Sequence, residues 1–261
     1  MQAPFFGTDL AAFRGVATTV PKVRRTAGQS IRDEKERLTD NRLIPYYFAC
    51  AFAWILWGWE ALKAHNHQPP QPKLLLCLAI FVTGVAAIAF GWLFRRFRAL
   101  NRGERGERKV AEILDDLRDS GYHAIHDIPA KGYNVDHVVV GPGGVFAIET
   151  KFRSGYGEIE FRNGEGLFVG GRKEEDDPLR QVRSNAADVN RLLRENCGEY
   201  FWVKPLLVFV GDWKVKNTWQ TTDARVFTID GLRNYLEDQQ PELTKAEIKL
   251  IASHLERSVK G

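Results

Sequence analysis

Asp136, Glu149 and Lys151 are the residues whose types and spacing could do chemistry: an aspartate, twelve intervening residues, then Glu-x-Lys, arranged around Gly141-Pro142-Gly143-Gly144. The flanking runs NVDHVVV and VFAIETK read as two strands joined by that turn. With Gly141 to Gly144 as a four-residue loop, Val140 pairs with Val145, and Asp136 falls opposite Glu149 with Cβ atoms about 4.5–5.5 Å apart. Alternation then places Glu149 and Lys151 on one face, which Asp136 shares. Facing carboxylates repel unless a cation sits between them. Mg²⁺ (or Mn²⁺) suits the pair, since such ions take one or two carboxylates and complete their shell with water and phosphate. The chemistry would be hydrolysis of a phosphodiester, with water activated by the metal and Lys151 positioning that water or stabilising the charged phosphorus. The plain alternative is a surface ion cluster, and a slip of one residue in register would turn the carboxylates apart.

Two further residues fit the same site. Glu107 lies three before Val110 and seven before Leu114, on the apolar face of an expected helix from Gly106 to Asp119. Stabilisation by that helix's own N-terminus is an equally good reason for a carboxylate there. Gln181 falls in the first turn of a helix opened by Asp177-Pro178, where a capping residue precedes proline at the first helical position. An exposed polar helix residue is its plain alternative.

These residues need a scaffold, and the chain spells one out. Strands are expected at Tyr122 to Ile128, Gly157 to Arg162, Leu167 to Gly170 and Ala224 to Ile229. Pro205 to Gly211, PLLVFVG, suits a central strand buried on both faces. Asp230 is expected to cap a short helix, and Thr244-Lys-Ala-Glu247 is a capping box that opens the last one. The order describes an α/β sandwich of ordinary domain size.

Ahead of this lies a different composition. Leu74 to Phe94 runs for about 21 residues without a charge, and Leu43 to Trp59 for about 17, both within the spanning range of a helix. Tyr46, Tyr47, Trp57, Trp59 and Trp92 lie near the ends of the runs, as interfacial aromatics do. Arginines and lysines crowd before Leu43 and after Phe94, whereas the connecting stretch offers only Lys63 and Lys73. The expectation is a transmembrane helical hairpin in a cell (inner) membrane, both termini and the main domain being cytoplasmic. Neither span carries an internal charge, so the hairpin reads as an anchor and not a channel. Three scattered cysteines, Cys50, Cys77 and Cys197, form neither a zinc motif nor a disulfide framework. A net charge of +4 names no partner by itself.

The motifs together resemble a known family. Gly103-Glu-Arg-Gly106-Glu107, Asn134-Val-Asp136, Gly141-Pro-Gly-Gly-Val-Phe-Ala-Ile-Glu149-Thr-Lys151 and Asp177-Pro-Leu-Arg-Gln181 are similar to those of the NERD (nuclease-related) domain, a branch of the PD-(D/E)XK nucleases. The resemblance implies a restriction-endonuclease-like mixed sheet flanked by helices and metal-dependent hydrolysis of nucleic acid, DNA foremost. It assigns metal binding to Asp136 and Glu149, catalysis to Lys151, and supporting roles to Glu107 and Gln181. Asp177 departs from the pattern, standing where an asparagine often precedes the proline. The expected organisation is a basic segment at 1–42, two spans within 43–94 in contact with the lipid bilayer, and a nuclease-like domain at 101–261 with its motifs in 103–195. A non-cleaving DNA-binding module and a protein-interaction scaffold remain the competing readings.

Overall fold

PLLVFVG lies at the centre of the sheet. The structure is a computed structural model that describes residues 25–66, 72–130, 132–162, 164–216 and 223–260. Its strands, β1 (His123–Pro129), β2 (Asn134–Gly141), β3 (Gly144–Arg162), β4 (Gly166–Val169), β5 (Arg172–Lys173), β6 (Val203–Lys216) and β7 (Arg225–Thr228), form one seven-stranded sheet. The first three strands are antiparallel neighbours, whereas β6 runs parallel to β3 on one side and to β7 on the other. Leu206, Leu207, Val208 and Phe209 of β6 are fully buried, as a parallel strand covered on both faces requires.

Helices cover both faces. α4 (Pro178–Cys197) and α6 (Lys245–Lys260) pack Ala186, Val189, Leu193 and Ile251 against Val138, Val140, Val145 and Ala147. On the other face, α3 (Pro72–Asp116) and α5 (Ile229–Glu237) pack Val110, Leu114, Leu232 and Leu236 against Val139, Phe146, Ile148 and Val208. The mixed sheet flanked by helices is therefore as expected. The capping box forms too, with Glu247 Oε2 accepting from Thr244 N at 2.7 Å and Glu247 N donating to Thr244 Oγ1 at 3.3 Å.

Several local expectations need correction. The turn between β2 and β3 is Pro142-Gly143 alone, because Gly141 and Gly144 pair with each other. The register is unchanged, since removing one residue from each side of the loop keeps Val140 opposite Val145. The strand expected at Gly157 to Arg162 is the second half of β3, which continues past an irregularity between Phe152 and Tyr156. Thr228, not Asp230, is the residue before α5, and Asp230 falls in its first turn.

The largest departure is in the helices ahead of the sheet. The second apolar run and the helix expected at Gly106 to Asp119 are one continuous helix, α3, 45 residues long. No proline interrupts it after Pro72. Two of its glycines stand where neighbours come close: a Cβ on Gly103 would lie 3.3 Å from Ile31 Cδ1, and one on Gly106 would lie 3.3 Å from Phe152 Cβ. Residue 101 thus falls inside a helix. Ahead of α3, α1 (Gln29–Leu38) passes through a π-helical stretch, Thr39–Leu43, into α2 (Ile44–His65), which packs along α3. Of the described helices, only α3 is both long and apolar enough to cross a membrane, its best window having a mean hydropathy of 2.6 and being 6% buried. α1 lies within the basic segment 1–42, whose residues 1–24 fall outside the described residues.

Candidate active site

The inferred hairpin register puts Asp136 and Glu149 where the ladder between β2 and β3 ends. The last backbone pair is His137 with Ile148, and beyond it the Asp136 side chain takes over, its Oδ2 accepting from Thr150 N at 2.7 Å. Alternation carries Asp136 and Glu149 to the α4 face, the face of Val138, Val140, Val145 and Ala147. Glu149 is buried, with Oε1 accepting from Lys151 Nζ at 2.8 Å and Oε2 from Asn185 Nδ2 at 2.8 Å. Lys151 Nζ also donates to Gln181 Oε1 at 2.8 Å. Gln181 and Asn185 are one turn apart on α4, so one helix face reaches both ends of the Glu-x-Lys pair.

The position of α4 follows from its start. Asp177 caps it, accepting from Arg180 N at 3.1 Å, and Pro178 opens the first turn. A cleft of about 430 Å³ lined by Tyr133, Asp177, Arg180, Gln181, Ser184 and Asn185 opens at this end of the helix.

Glu107 joins the site from the opposite layer. It is buried on α3, far from that helix's own start at Pro72, so the α3 N-terminus does not explain it. Burial, together with Asp127 and Glu149 nearby, pushes its carboxyl up from the ordinary 4.5 to about 7. Asp136 as a whole residue is half-buried, yet its carboxyl loses its water, and Glu149 and Glu107 add repulsion. Together these hold the Asp136 carboxyl well above the usual aspartate range. The structure therefore brings together all five residues singled out from the sequence: Asp136, Glu149, Lys151, Glu107 and Gln181.

Two residues escaped the sequence reading. Asn185 lies four after Gln181, a spacing that could have revealed it. Its Nδ2 holds Glu149, and its Oδ1 is buried with no hydrogen-bond partner among the described residues. Asp127, 2% exposed, stands across from Asp136 at a gap in the ladder between β1 and β2, flanked by the pairs His126 with His137 and Ile128 with Val135. Its φ of 56° breaks the strand there. Extending the hairpin register by one strand would have aligned it.

The donor set suits a hard divalent cation. Carboxylates crowded in a desolvated place hold negative charge that a cation would relieve, and the orphaned Asn185 Oδ1 is ready to accept from a water. Among the described residues, no three of His, Cys, Asp and Glu converge to hold a metal unaided. Two carboxylates are the usual protein share for Mg²⁺, the rest of its shell being water and phosphate. Residues 102–210 match the model of a family described as nuclease-related domain, NERD. No curated protein and no solved structure matches the chain. The match covers every residue of the site and supports a nuclease-related function for this part of the chain.

Proposed function

We propose that the protein is a membrane-anchored, divalent-metal-dependent nuclease that hydrolyses phosphodiester bonds of nucleic acid, DNA foremost, on the cytosolic side. The observation that carries this reading is the Lys151 ammonium fixed between Glu149 and Gln181, beside a second carboxylate, Asp136, that Thr150 N pins in place. Asp136 and Glu149 would hold Mg²⁺ or Mn²⁺. Such an ion supplies Lewis acidity, neutralising phosphate charge and making the attacking water more acidic. Lys151 has three N–H donors, two of them engaged, leaving one for the charge that develops on the phosphate. Gln181 and Asn185 orient Lys151 and Glu149 without needing to touch substrate. Arg180 in the adjoining cleft is placed to meet a phosphate of the bound strand.

Full-length protein in detergent or nanodiscs, incubated with plasmid, linear duplex, single-stranded DNA and RNA, should cleave in Mg²⁺ or Mn²⁺ and stop in EDTA. Binding without cleavage under every condition would make it a DNA-binding module instead.

The anchor rests on exposed apolar surface. Phe81 is 68% and Ile88 78% exposed on α3, and Phe52 and Ile55 on α2 are 63% and 67% exposed. Side chains of this kind need lipid or a partner to cover them. The arginine-rich flanks of both apolar runs, before Leu43 and after Phe94, favour a cytoplasmic location for the domain. Reporters fused at residue 70 and at the C-terminus should give opposite topological signals. An external C-terminus would remove the domain from cytosolic nucleic acid.

A further inference from the structure

The segment ahead of α2 makes its contacts at the carboxylate site. Arg25 Nη1 lies 3.0 Å from Asp127 Oδ2, across 102 residues of sequence. Ser30 N donates to the same oxygen at 3.2 Å, and Asn134 Nδ2 donates to Asp127 Oδ1 at 2.9 Å. Both oxygens of Asp127 are thus engaged by protein donors, one of them a guanidinium, which makes the residue an anchor point for this segment. The backbone of Gly28 also faces the Glu107 carboxyl and favours its charged form. Gly28 is the residue before α1, and Ser30 is in its first turn. The open N–H groups and positive dipole end of α1 therefore face two carboxylates, the electrostatic match expected of a helix N-terminus. Glycine is required at the junction: φ is 72°, and a Cβ there would come within 2.9 Å of Glu104 Cγ. Further along α1, Arg32 (3.2 Å) and Lys35 both pair with Glu104, on α3 just before Glu107, so the register between the two helices is fixed.

We infer that Arg25 and the first turn of α1 are positioning residues of the catalytic centre. Through Asp127 they hold the strand break that faces Asp136, and they place the N-terminus of α1 against Glu107. Residues that precede α2 thereby complete a site built from Glu107 to Asn185. The inference rests on the nuclease reading and adds to it a dependence on the segment before α2, which a fragment starting at residue 101 lacks.

The test uses the full chain with Arg25→Ala, Arg25→Lys and Gly28→Ala, measuring kcat and KM for DNA cleavage in Mn²⁺ and amide hydrogen exchange across 126–136. Supporting groups of a metal site are commonly worth roughly 10–100-fold, so Arg25→Ala and Gly28→Ala should lower kcat by that order with little change in KM. Exchange at 126–136 should quicken, and Arg25→Lys should recover most of both losses. A higher kcat in Arg25→Ala would make the segment a lid, and an unchanged kcat despite faster exchange would make it a passive brace. Either result overturns the positioning role. If the wild type cleaves nothing while Arg25→Ala still loosens 126–136, the nuclease reading fails and the contact with Asp127 stands.

Discussion

Replacing Lys151 by alanine should abolish cleavage while leaving metal binding intact. Its ammonium offers donors only, so it is no metal ligand, and its removal deletes a preorganised charge from the site. Losing one such contact commonly costs on the order of 10²–10³ in rate. Glu149 Oε1 and Gln181 Oε1 would each lose a bond, so some disorder of the Gln181 end of α4 should accompany the loss. Single-turnover cleavage at saturating DNA, beside a binding titration, separates catalysis from grip. A lysine used only for grip would weaken binding and flatten its salt dependence, with cleavage at saturation unchanged. Equal cleavage by the two proteins would take Lys151 out of the catalytic set.

Asp136→Asn should have opposite effects with and without metal. In metal-free protein the ionised carboxyl is costly, because burial and its neighbours Glu149 and Glu107 oppose its charge. The neutral amide removes that cost, so the metal-free variant should melt higher than wild type. Adding Mg²⁺ or Mn²⁺ at about a hundredfold over Kd should stabilise wild type by about 2.7 kcal/mol. For a chain of this size that is a rise of roughly 5–10 °C in Tm. The variant should show little of it. The same reasoning gives a pH signature through Glu107, whose folded value of about 7 exceeds the ordinary 4.5. Between those values the folded state binds more protons than the unfolded one, so metal-free stability should fall as pH rises toward 7. A metal response in Asp136→Asn equal to that of wild type would remove Asp136 from the metal site.

Most of the site was legible in the sequence because it is local in one dimension. A tight turn fixes register, register fixes faces, and faces bring Asp136, Glu149 and Lys151 together even though the loop is two residues shorter than expected. Gln181 was legible through the cap that starts α4. Glu107 was found by its place on an apolar helix face, but the reason for its burial was not. The helix expected to begin beside it starts at Pro72, and the N-terminus that does face it belongs to α1. Hydropathy marks Leu74 to Phe94 as a span but carries no signal that the helix continues unbroken to Asp116. Contacts such as Arg25 with Asp127 leave no local pattern, since nothing periodic links residues 102 apart.

The unbroken α3 would make the proposed anchor a gauge. From Phe94 to Glu107 the helix rises about 20 Å, at about 1.5 Å for each residue. If α3 spans the bilayer as proposed, the height of the catalytic carboxylates above the lipid is set by helix pitch and not by a flexible tether. Orientation is set in the same way: each residue added between Arg98 and Gly103 would turn the sheet by about 100° around the helix axis while lifting it by only about 1.5 Å. One inserted residue would therefore carry Glu107 out of reach of α1, whereas seven, close to two full turns, would nearly restore its bearing at a greater height. Nucleic acid would have to approach along a fixed direction relative to the membrane plane. A nuclease held in this way would sample the layer of substrate nearest the lipid instead of a volume swept out by a leash.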